Sequence, residues 1–220
     1  MTGVTQQARP IIVVGAGGHA AVVLAALRML DLHVLGVVDK VAIPGGKGPY
    51  GVAQLGDDDA VMRYGPSEIL LANGIGSVSP STARRDAGER FAAKGYRFAT
   101  MVHPRAWVAD GAALEEGVQV MAGAIIQPRV HIGIGTIINT GACVDHDCQI
   151  GNWVHVAPGA TLCGGVEVGS GAHIGAGAVV IQSIRIGENA VVGAGAIVVR
   201  DVPAATTVVS PRAQPMGERP

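Results

Sequence analysis

The chain has 220 residues, a net charge of −1, 33 glycines and only 3% aromatic residues. This charge gives nucleic-acid binding no electrostatic support, and no apolar run approaches the roughly eighteen residues of a membrane span. With so few aromatic residues, a core must be built from Val, Ile, Leu and Ala. The odd cysteine count, Cys143, Cys148 and Cys163, favours reduced thiols in the cytoplasm, with Cys148 as a small core residue.

The first half of the chain alternates strand and helix patterns. After a loose tail at residues 1–10, we expect strands at 11–14, 33–38, 67–72 and 96–102, and helices at 20–30 and 81–94. Alternation of this kind is typical of a parallel sheet with helices on its faces. The pattern therefore predicts a small Rossmann-like βαβ domain, of α/β class, over residues 11–102.

A glycine-rich turn follows the first predicted strand. Residues 15–20 (GAGGHA) match the relaxed dinucleotide-binding fingerprint, and Asp39 follows about twenty residues later. Glycines let backbone N–H groups approach a diphosphate, the helix N-terminus adds positive potential, and His19 could bond a phosphate or sugar. The domain is short for the two halves of an NAD site, so a nucleotide sugar is the favoured ligand. A turn kept only for packing is the simpler alternative.

The second half has a strict period of six. An aliphatic residue falls on every sixth position from Val108 to Val198, and the positions two residues earlier are small or apolar except Thr136. Helices and plain strands do not give this period, and the strands of a β-sandwich lose phase at each turn. Coils of three short strands joined by tight turns do give it. We therefore predict a β-solenoid over residues 103–203, followed by an extended tail at 204–220.

One polar triplet, Asp145-His146-Asp147, interrupts the apolar repeat. A carboxylate beside an imidazole fixes its tautomer and raises its basicity, as a general base requires. Eighteen residues, or one coil, after His146 comes Gly164, which should lie about 4.8 Å away along the axis. A base beside an exposed glycine N–H is a minimal arrangement for acyl transfer.

The remaining solenoid histidines admit other readings. His155 and His173 are one coil apart and should stack in one row, while His131 and His173 are expected to be solvated outer-face residues. The alternative to a catalytic His146 is a zinc site built from histidines. It needs three converging ligands, and His146, His155 and His173 do not obviously converge, so no metal site is expected.

Taken together, these motifs resemble the sialic acid O-acetyltransferase-like family of sugar acetyltransferases, and within it the nucleotide-amino-sugar N-acetyltransferases. Members act on UDP-4-amino-4,6-dideoxy sugars or GDP-perosamine. The resemblance covers about residues 11–202. It is carried by residues 15–19 (GAGGH), Asp39, 73–76 (NGIG), 103–104 (HP), 139–147 (NTGACVDHD) and 193–202 (GAGAIVVRDV).

The resemblance implies a homotrimer of left-handed parallel β-helices, with acetyl-CoA as co-substrate and active sites between subunits. It implies that His146 is the general base, oriented by Asp147, and that the backbone at Gly164 stabilises the oxyanion. Acetyl-CoA contacts are implied for His155 and Ala194. Nucleotide-sugar contacts are implied for Gly15, Gly17, Gly18, His19, Asp39 and Lys40.

Two departures from the family pattern matter. Lys40 stands where many members carry a second acid, which weakens the case for a uridine site and leaves guanosine open. Residues 210–213 (SPRA) replace the common terminal Gly-x-Pro-Ala. The expected activity is N-acetylation of a nucleotide-linked 4-amino dideoxy sugar for surface polysaccharide or glycan synthesis. A sugar O-acetyltransferase, a metal-dependent hydratase like the γ-class carbonic anhydrases and a non-catalytic solenoid remain the alternatives.

Overall fold

The computed structural model describes residues 9–76 and 82–211. Its N-terminal part is a sheet of four parallel strands in the order β3-β2-β1-β4. The elements are β1 (Ile11–Val14), α1 (Gly18–Met29), β2 (Val34–Val38), β3 (Gln54–Gly56), β4 (Leu70–Asn73) and α2 (Ala83–Ala93), with 3-10 turns at Pro44–Gly46, Pro49–Gly51 and Asp58–Arg63. Ser81, expected to open α2, lies outside the described residues.

Strand β1 is buried on both sides, as its unbroken apolar sequence requires. Ile11 and Val13 pack with α1, whereas Ile12 and Val14 pack on the opposite side with Phe91 of α2. The sheet is thus covered on both faces, and the carboxyl ends of its strands carry the glycine turn and Asn73.

The prediction of a strand at 96–102 is wrong for this sheet. Phe98 makes an isolated bridge to Leu71, and only Met101–Val102 is a strand (β5), which pairs with Gln119–Val120 of the solenoid. The fourth strand of the sheet is β3, which sequence analysis missed. A strand of three residues is too short for its periodicity to be recognised.

The solenoid is a stack of two-residue parallel strands that form three sheets, called faces 1, 2 and 3 below. Face 1 contains β5 and the strands Gln119–Val120, Ile137–Ile138, His155–Val156, His173–Ile174, Val191–Val192 and Thr207–Val208. Face 2 contains Trp107–Val108, Ile125–Ile126, Cys143–Val144, Thr161–Leu162, Val179–Val180 and Ile197–Val198. Face 3 contains Ala113–Leu114, His131–Ile132, Gln149–Ile150, Glu167–Val168 and Arg185–Ile186.

The predicted period-six series forms the core of this solenoid. The second residue of each strand points inward, and from Val120 to Val198 these residues are at most 6% exposed. The register two residues earlier fills the same core. Its polar member, Thr136, is buried and satisfied, since its hydroxyl donates to Gly151 O (2.8 Å) and accepts from Val154 N (3.0 Å). The repeat extends past its expected end, because Thr207–Val208 pairs with Val191–Val192.

A third series with the same period sets the turns. Every sixth residue from Gly111 to Gly195 has a positive φ, and most of these residues are glycine. A left-handed backbone costs a residue with a Cβ roughly 1 kcal/mol or more. The residues that occupy this conformation without being glycine are Arg129, Asp147, Trp153, Ser183 and Asn189.

The N-terminal part docks on the solenoid through a buried arginine, at the corner between faces 3 and 1. Arg84 of α2 is 4% exposed and donates hydrogen bonds to the carbonyls of Gly135 and Trp153. Its guanidinium lies 5.7 Å from the Trp153 ring centroid, and Gly88 leaves room for that ring. The acceptors of Arg84 are neutral carbonyl groups and not carboxylates. Burial lowers the pKa of Arg84 to about 10.

Candidate active site

His146 lies at an exposed corner of the solenoid, in the turn between a face 2 strand and a face 3 strand. Its Nδ1 is 2.7 Å from Asp147 Oδ2, and its own N–H donates to Asp145 Oδ1 (2.7 Å). An ionised carboxylate only accepts, so Nδ1 carries a proton, and in the neutral ring Nε2 has the lone pair. The imidazole is therefore poised to accept a proton at Nε2.

Gly164 stacks on His146 one coil along the axis, as the spacing predicts. A Cβ placed on Gly164 would lie 2.6 Å from His146 Cε1 and 2.8 Å from Nε2. These separations are shorter than real Cβ contacts allow, so a side chain here would displace the imidazole. Glycine thus leaves its backbone open next to the basic nitrogen.

Arg129, which the sequence analysis missed, completes this corner. Its Nε is 2.6 Å from Asp147 Oδ1 and its Nη2 is 2.7 Å from Oδ2, a bidentate ion pair. The Arg129 guanidinium and then the His146 hydrogen bond hold the pKa of Asp147 well below its usual range. Asp147 therefore stays ionised at neutral pH.

The series of left-handed turn positions, most of which are glycine, could have revealed Arg129 from the sequence. Arg129 and Asp147 occupy left-handed turn positions one coil apart, with φ of 60° and 62°, where the repeat otherwise favours glycine. Charged residues at two consecutive places in such a row are therefore a signal in the sequence itself. Trp153, at φ 58°, marks the docking site of α2 in the same way.

His155 and His173 stack on face 1, as predicted, with ring centroids 5.0 Å apart. His155 is 8% exposed, and Asn139 Nδ2 lies 3.0 Å from its Nε2, so at most an edge of the ring is available to a ligand. The expectation that His173 is solvated is wrong, because its Nδ1 is buried without a hydrogen-bond partner. Burial, and then the charge of Arg84, lower the pKa of His173. The side chain of His131 is 44% exposed, with its Nε2 3.2 Å from Glu115 Oε1.

Ala194 lies in a different corner from His146. It is exposed in the turn between the face 1 strand Val191–Val192 and the face 2 strand Ile197–Val198. Face 2 therefore separates Ala194 from His146 and Gly164, and a single chain does not bring these predicted acetyl-CoA residues together.

The glycine turn has the geometry that its sequence suggests. Gly15 has φ +94°, and a Cβ there would lie 3.1 Å from Ile75 Cγ1, so both the backbone conformation and the close loop require glycine. Gly17 precedes α1 and Gly18 begins it. Open space surrounds the Cβ positions of both. Asp39 closes the turn, since its Oδ2 accepts from Ala16 N (2.8 Å).

His19 joins the glycine turn to the solenoid through a buried amide. Its Nε2 is 2.8 Å from Gln119 Oε1, and Gln119 Nε2 donates to Asn73 O (2.7 Å). The amide orientation makes His19 Nε2 the donor, which leaves Nδ1 as an acceptor in the neutral ring. Burial lowers the pKa of His19 and outweighs the Gln119 hydrogen bond, which raises it. Gln119 was not predicted, because a glutamine on an outward strand position carries no motif.

Lys40 is exposed and lines a cavity of about 250 Å³ that it shares with the acidic residues Asp57, Asp58 and Asp59. Among the cysteines, Cys148 is fully buried in the solenoid core, as predicted, and burial raises the pKa of its thiol to about 11. Burial also raises the pKa of Cys143. These two thiols are poor nucleophiles.

Solved structures of related proteins extend over nearly the whole chain. A perosamine N-acetyltransferase from Caulobacter crescentus, a histidine-to-asparagine variant in complex with CoA and GDP-perosamine, is 35% identical, with 96% of this chain and 98% of that chain covered and a TM-score of 0.85. PerB from Caulobacter crescentus with the same two ligands is 37% identical (92% and 95% covered, TM-score 0.85). The acetyltransferase domain of PglB from Neisseria gonorrhoeae, in complex with acetyl coenzyme A, is 32% identical (94% and 99% covered, TM-score 0.85). The chain belongs to the nucleotide-amino-sugar N-acetyltransferases.

No protein-family model and no curated protein matches the chain, so the assignment rests on these structures. As a nucleotide-amino-sugar N-acetyltransferase, the chain is an acetyltransferase, and its solenoid is a left-handed parallel β-helix, as the sequence resemblance implied. Within residues 9–76 and 82–211, no three histidine, cysteine or acidic side chains are grouped to hold a metal ion. In the same residues, no helix has the length and hydropathy needed to cross a membrane.

Proposed function

We propose that this enzyme transfers the acetyl group of acetyl-CoA to the 4-amino group of a nucleotide-linked dideoxy amino sugar, for surface polysaccharide or glycan synthesis. The observation that carries the proposal is the 37% identity, over 92% of the chain, to an enzyme whose structure holds both CoA and GDP-perosamine. The base at the solenoid corner supports it independently, because amide formation requires removal of a proton from the attacking nitrogen.

In the proposed step the sugar amine attacks the thioester carbonyl, a C–N bond forms and the C–S bond breaks. His146 Nε2 takes the proton of the attacking nitrogen, and Asp147 holds the imidazole in the correct tautomer. The backbone N–H of Gly164 stabilises the tetrahedral oxyanion. The CoA thiolate leaves and takes up a proton.

The nucleotide part of the substrate is assigned to the glycine turn. Backbone N–H groups at Gly17 and Gly18 would bind the diphosphate, since open space surrounds both residues. His19, held by Gln119, would offer its Nδ1 to a donor on the nucleotide sugar. Gly15 and Asp39 would shape this turn. Lys40 would contact a guanine base, because its ammonium group can donate a hydrogen bond to the carbonyl oxygen of guanine.

We propose that the active enzyme is a homotrimer with acetyl-CoA bound between subunits. The support is twofold: His146 and Ala194 lie on opposite sides of face 2, and face 2 exposes Trp107 (51%), Ile125 (40%) and Ile197 (70%). An exposed apolar row of this kind favours contact with another protein surface. His155 would contact acetyl-CoA through the exposed edge of its ring.

Residues 11–102 would form the nucleotide-sugar-binding unit and residues 103–203 the acetyltransferase unit. The cytoplasm is the proposed compartment, because acetyl-CoA and nucleotide sugars are made there. Light scattering of the purified enzyme tests the trimer.

The activity is tested with acetyl-CoA and two acceptors, GDP-perosamine and a UDP-4-amino-4,6-dideoxy sugar, by following thiol release and the acetylated product. We expect turnover with at least one amine, none with GDP-mannose, and no loss of activity with a chelator. Acetylation of GDP-mannose would instead favour the O-acetyltransferase alternative. Inactivation by the chelator would favour a metal-dependent reaction.

A further inference from the structure

Arg129 binds the carboxylate that also binds His146. Asp147 Oδ2 lies 2.7 Å from Arg129 Nη2 and 2.7 Å from His146 Nδ1, while Oδ1 lies 2.6 Å from Arg129 Nε. Rotation of the carboxylate out of the guanidinium plane would break both bonds to Arg129. The arginine therefore fixes the direction from which Asp147 accepts the hydrogen bond of His146 Nδ1–H.

Stability does not explain this pair. Arg129 and Asp147 both adopt the left-handed backbone, which disfavours residues with a Cβ, and Gly111 and Gly165 hold the neighbouring places in the same row. A Cβ on Gly111 would meet nothing within 4 Å, so packing at this row does not require a side chain. An exposed ion pair returns little stability, which leaves the effect on His146 as the explanation.

We propose that Arg129 is a positioning residue for acetyl transfer, which locks the Asp147 carboxylate so that His146 keeps its proton on Nδ1 and presents Nε2 beside Gly164. This inference rests on the proposed function. Arg129 itself would not touch the acceptor amine or the thioester. It would act only through Asp147, and the proton of the attacking nitrogen would still go to His146 Nε2.

The charges around the imidazole show what Arg129 adds. Two carboxylates face His146, namely Asp145 at its backbone N–H and Asp147 at its ring. The neighbouring coil contributes the uncharged Gly164 beside the ring. The Arg129 guanidinium is thus a positive charge that pairs with Asp147 and offsets part of the negative charge beside the imidazole.

The test uses Arg129→Gly, because glycine suits the left-handed turn and relieves its strain. We expect an unchanged or higher melting temperature, a kcat lower by roughly tenfold, and KM values for both substrates within about twofold. The acid limb of the pH–rate profile should move to higher pH, because a carboxylate without its guanidinium partner stabilises a neighbouring positive charge more strongly. Lysine cannot bind both carboxylate oxygens in one plane. The kcat and pH profile of Arg129→Lys should therefore lie between those of the wild type and those of Arg129→Gly.

Asn189→Gly is the matched control. Asn189 has the same left-handed backbone (φ 54°) in a turn between a face 3 strand and a face 1 strand, so this variant relieves similar strain without touching the His146 corner. Its kcat and pH profile should match those of the wild type. A normal kcat and an unmoved pH profile in Arg129→Gly, with an active wild type, would overturn the proposal.

A readout independent of turnover separates this inference from the proposed function. Nitrogen NMR shifts of the His146 ring report which nitrogen carries the proton. We expect the Nδ1–H tautomer in the wild type and a mixture in Arg129→Gly. An inactive wild type with this NMR difference would count against the proposed function and leave the effect of Arg129 on the His146 tautomer in place. Identical tautomers in the two proteins would remove the positioning role whatever the activity.

Discussion

Two regions of the molecule each hold a histidine ring by one hydrogen bond to a side chain. One is the exposed corner at His146, and the other is the buried seam at His19, where the N-terminal part docks on the solenoid. The hydrogen-bond partners differ. At the corner the partner is the ionised Asp147, itself paired with Arg129. In the seam it is Gln119, a neutral amide that is 2% exposed. Water can solvate charges at the corner, whereas in the seam a carboxylate would carry a large desolvation penalty. The difference fits a proton acceptor at the corner and a neutral hydrogen-bonding group in the seam.

The largest expected effect comes from removing the base. His146→Ala should lower kcat by about 10²–10⁴-fold and leave the KM for acetyl-CoA nearly unchanged, because the lost interaction is made in the transition state. Initial rates at saturating acetyl-CoA measure this. His131→Ala, an exposed histidine on face 3, is the control and should retain wild-type turnover. Near-normal turnover in His146→Ala would remove His146 from the mechanism.

At the seam, the test measures the stability of the fold and not the rate of turnover. Arg84→Met should lower the free energy of unfolding by about 2–4 kcal/mol, since the carbonyls of Gly135 and Trp153 lose their donors. Urea unfolding measures the change. Arg85→Met, on the same helix, should cost less than about 1 kcal/mol. Equal losses in the two variants would mean that the carbonyl contacts of Arg84 are not what secures α2.

Sequence reasoning recovered the solenoid and its phase because an error-free repeat fixes which residues share a face and which residues stack. That is why the sequence alone places Gly164 beside His146. It failed where partners come from distant segments without a repeat. Gln119 reaches Asn73 and His19 across the seam, and Arg84 reaches Gly135 and Trp153. Such contacts depend on how two parts of the chain dock, which periodicity does not encode.

The close stacking at the corner makes Gly164→Ala informative. A methyl group would lie 2.6 Å from His146 Cε1, so the imidazole must move, and a displacement of that order costs roughly ten- to a hundredfold in kcat. Folding should be little affected, because the ring at the exposed corner can rotate into solvent. Ala176→Gly, the reciprocal change at the equivalent turn position of another corner, should leave kcat unchanged. A wild-type rate for Gly164→Ala would show that the ring geometry tolerates displacement.

The smallest expected effect is a pH dependence of stability that comes from the seam. Burial lowers the folded-state pKa of His173 and of His19. As pH falls below about 6.5, the unfolded chain binds protons at these rings that the folded chain does not, so the free energy of unfolding decreases. The stability they provide is present above the unfolded-state value and is lost toward acid pH. Each ring takes up at most one proton, so it contributes at most about 1.4 kcal/mol per pH unit.

Two variants of His173 isolate this contribution. His173→Leu replaces a buried Nδ1 that has no partner with an apolar group, and His173→Gln keeps a polar group that does not titrate. Urea unfolding at pH 7.5 and at pH 5.5 should show a smaller difference between the two pH values in both variants than in the wild type, by a fraction of a kcal/mol, whatever each substitution does to stability at pH 7.5. An unchanged pH difference in both variants would mean that His173 takes up its proton in the folded seam as readily as in the unfolded chain. His173 would then not be kept neutral by the fold, and the difference between a neutral seam and a charged corner would not hold for this residue.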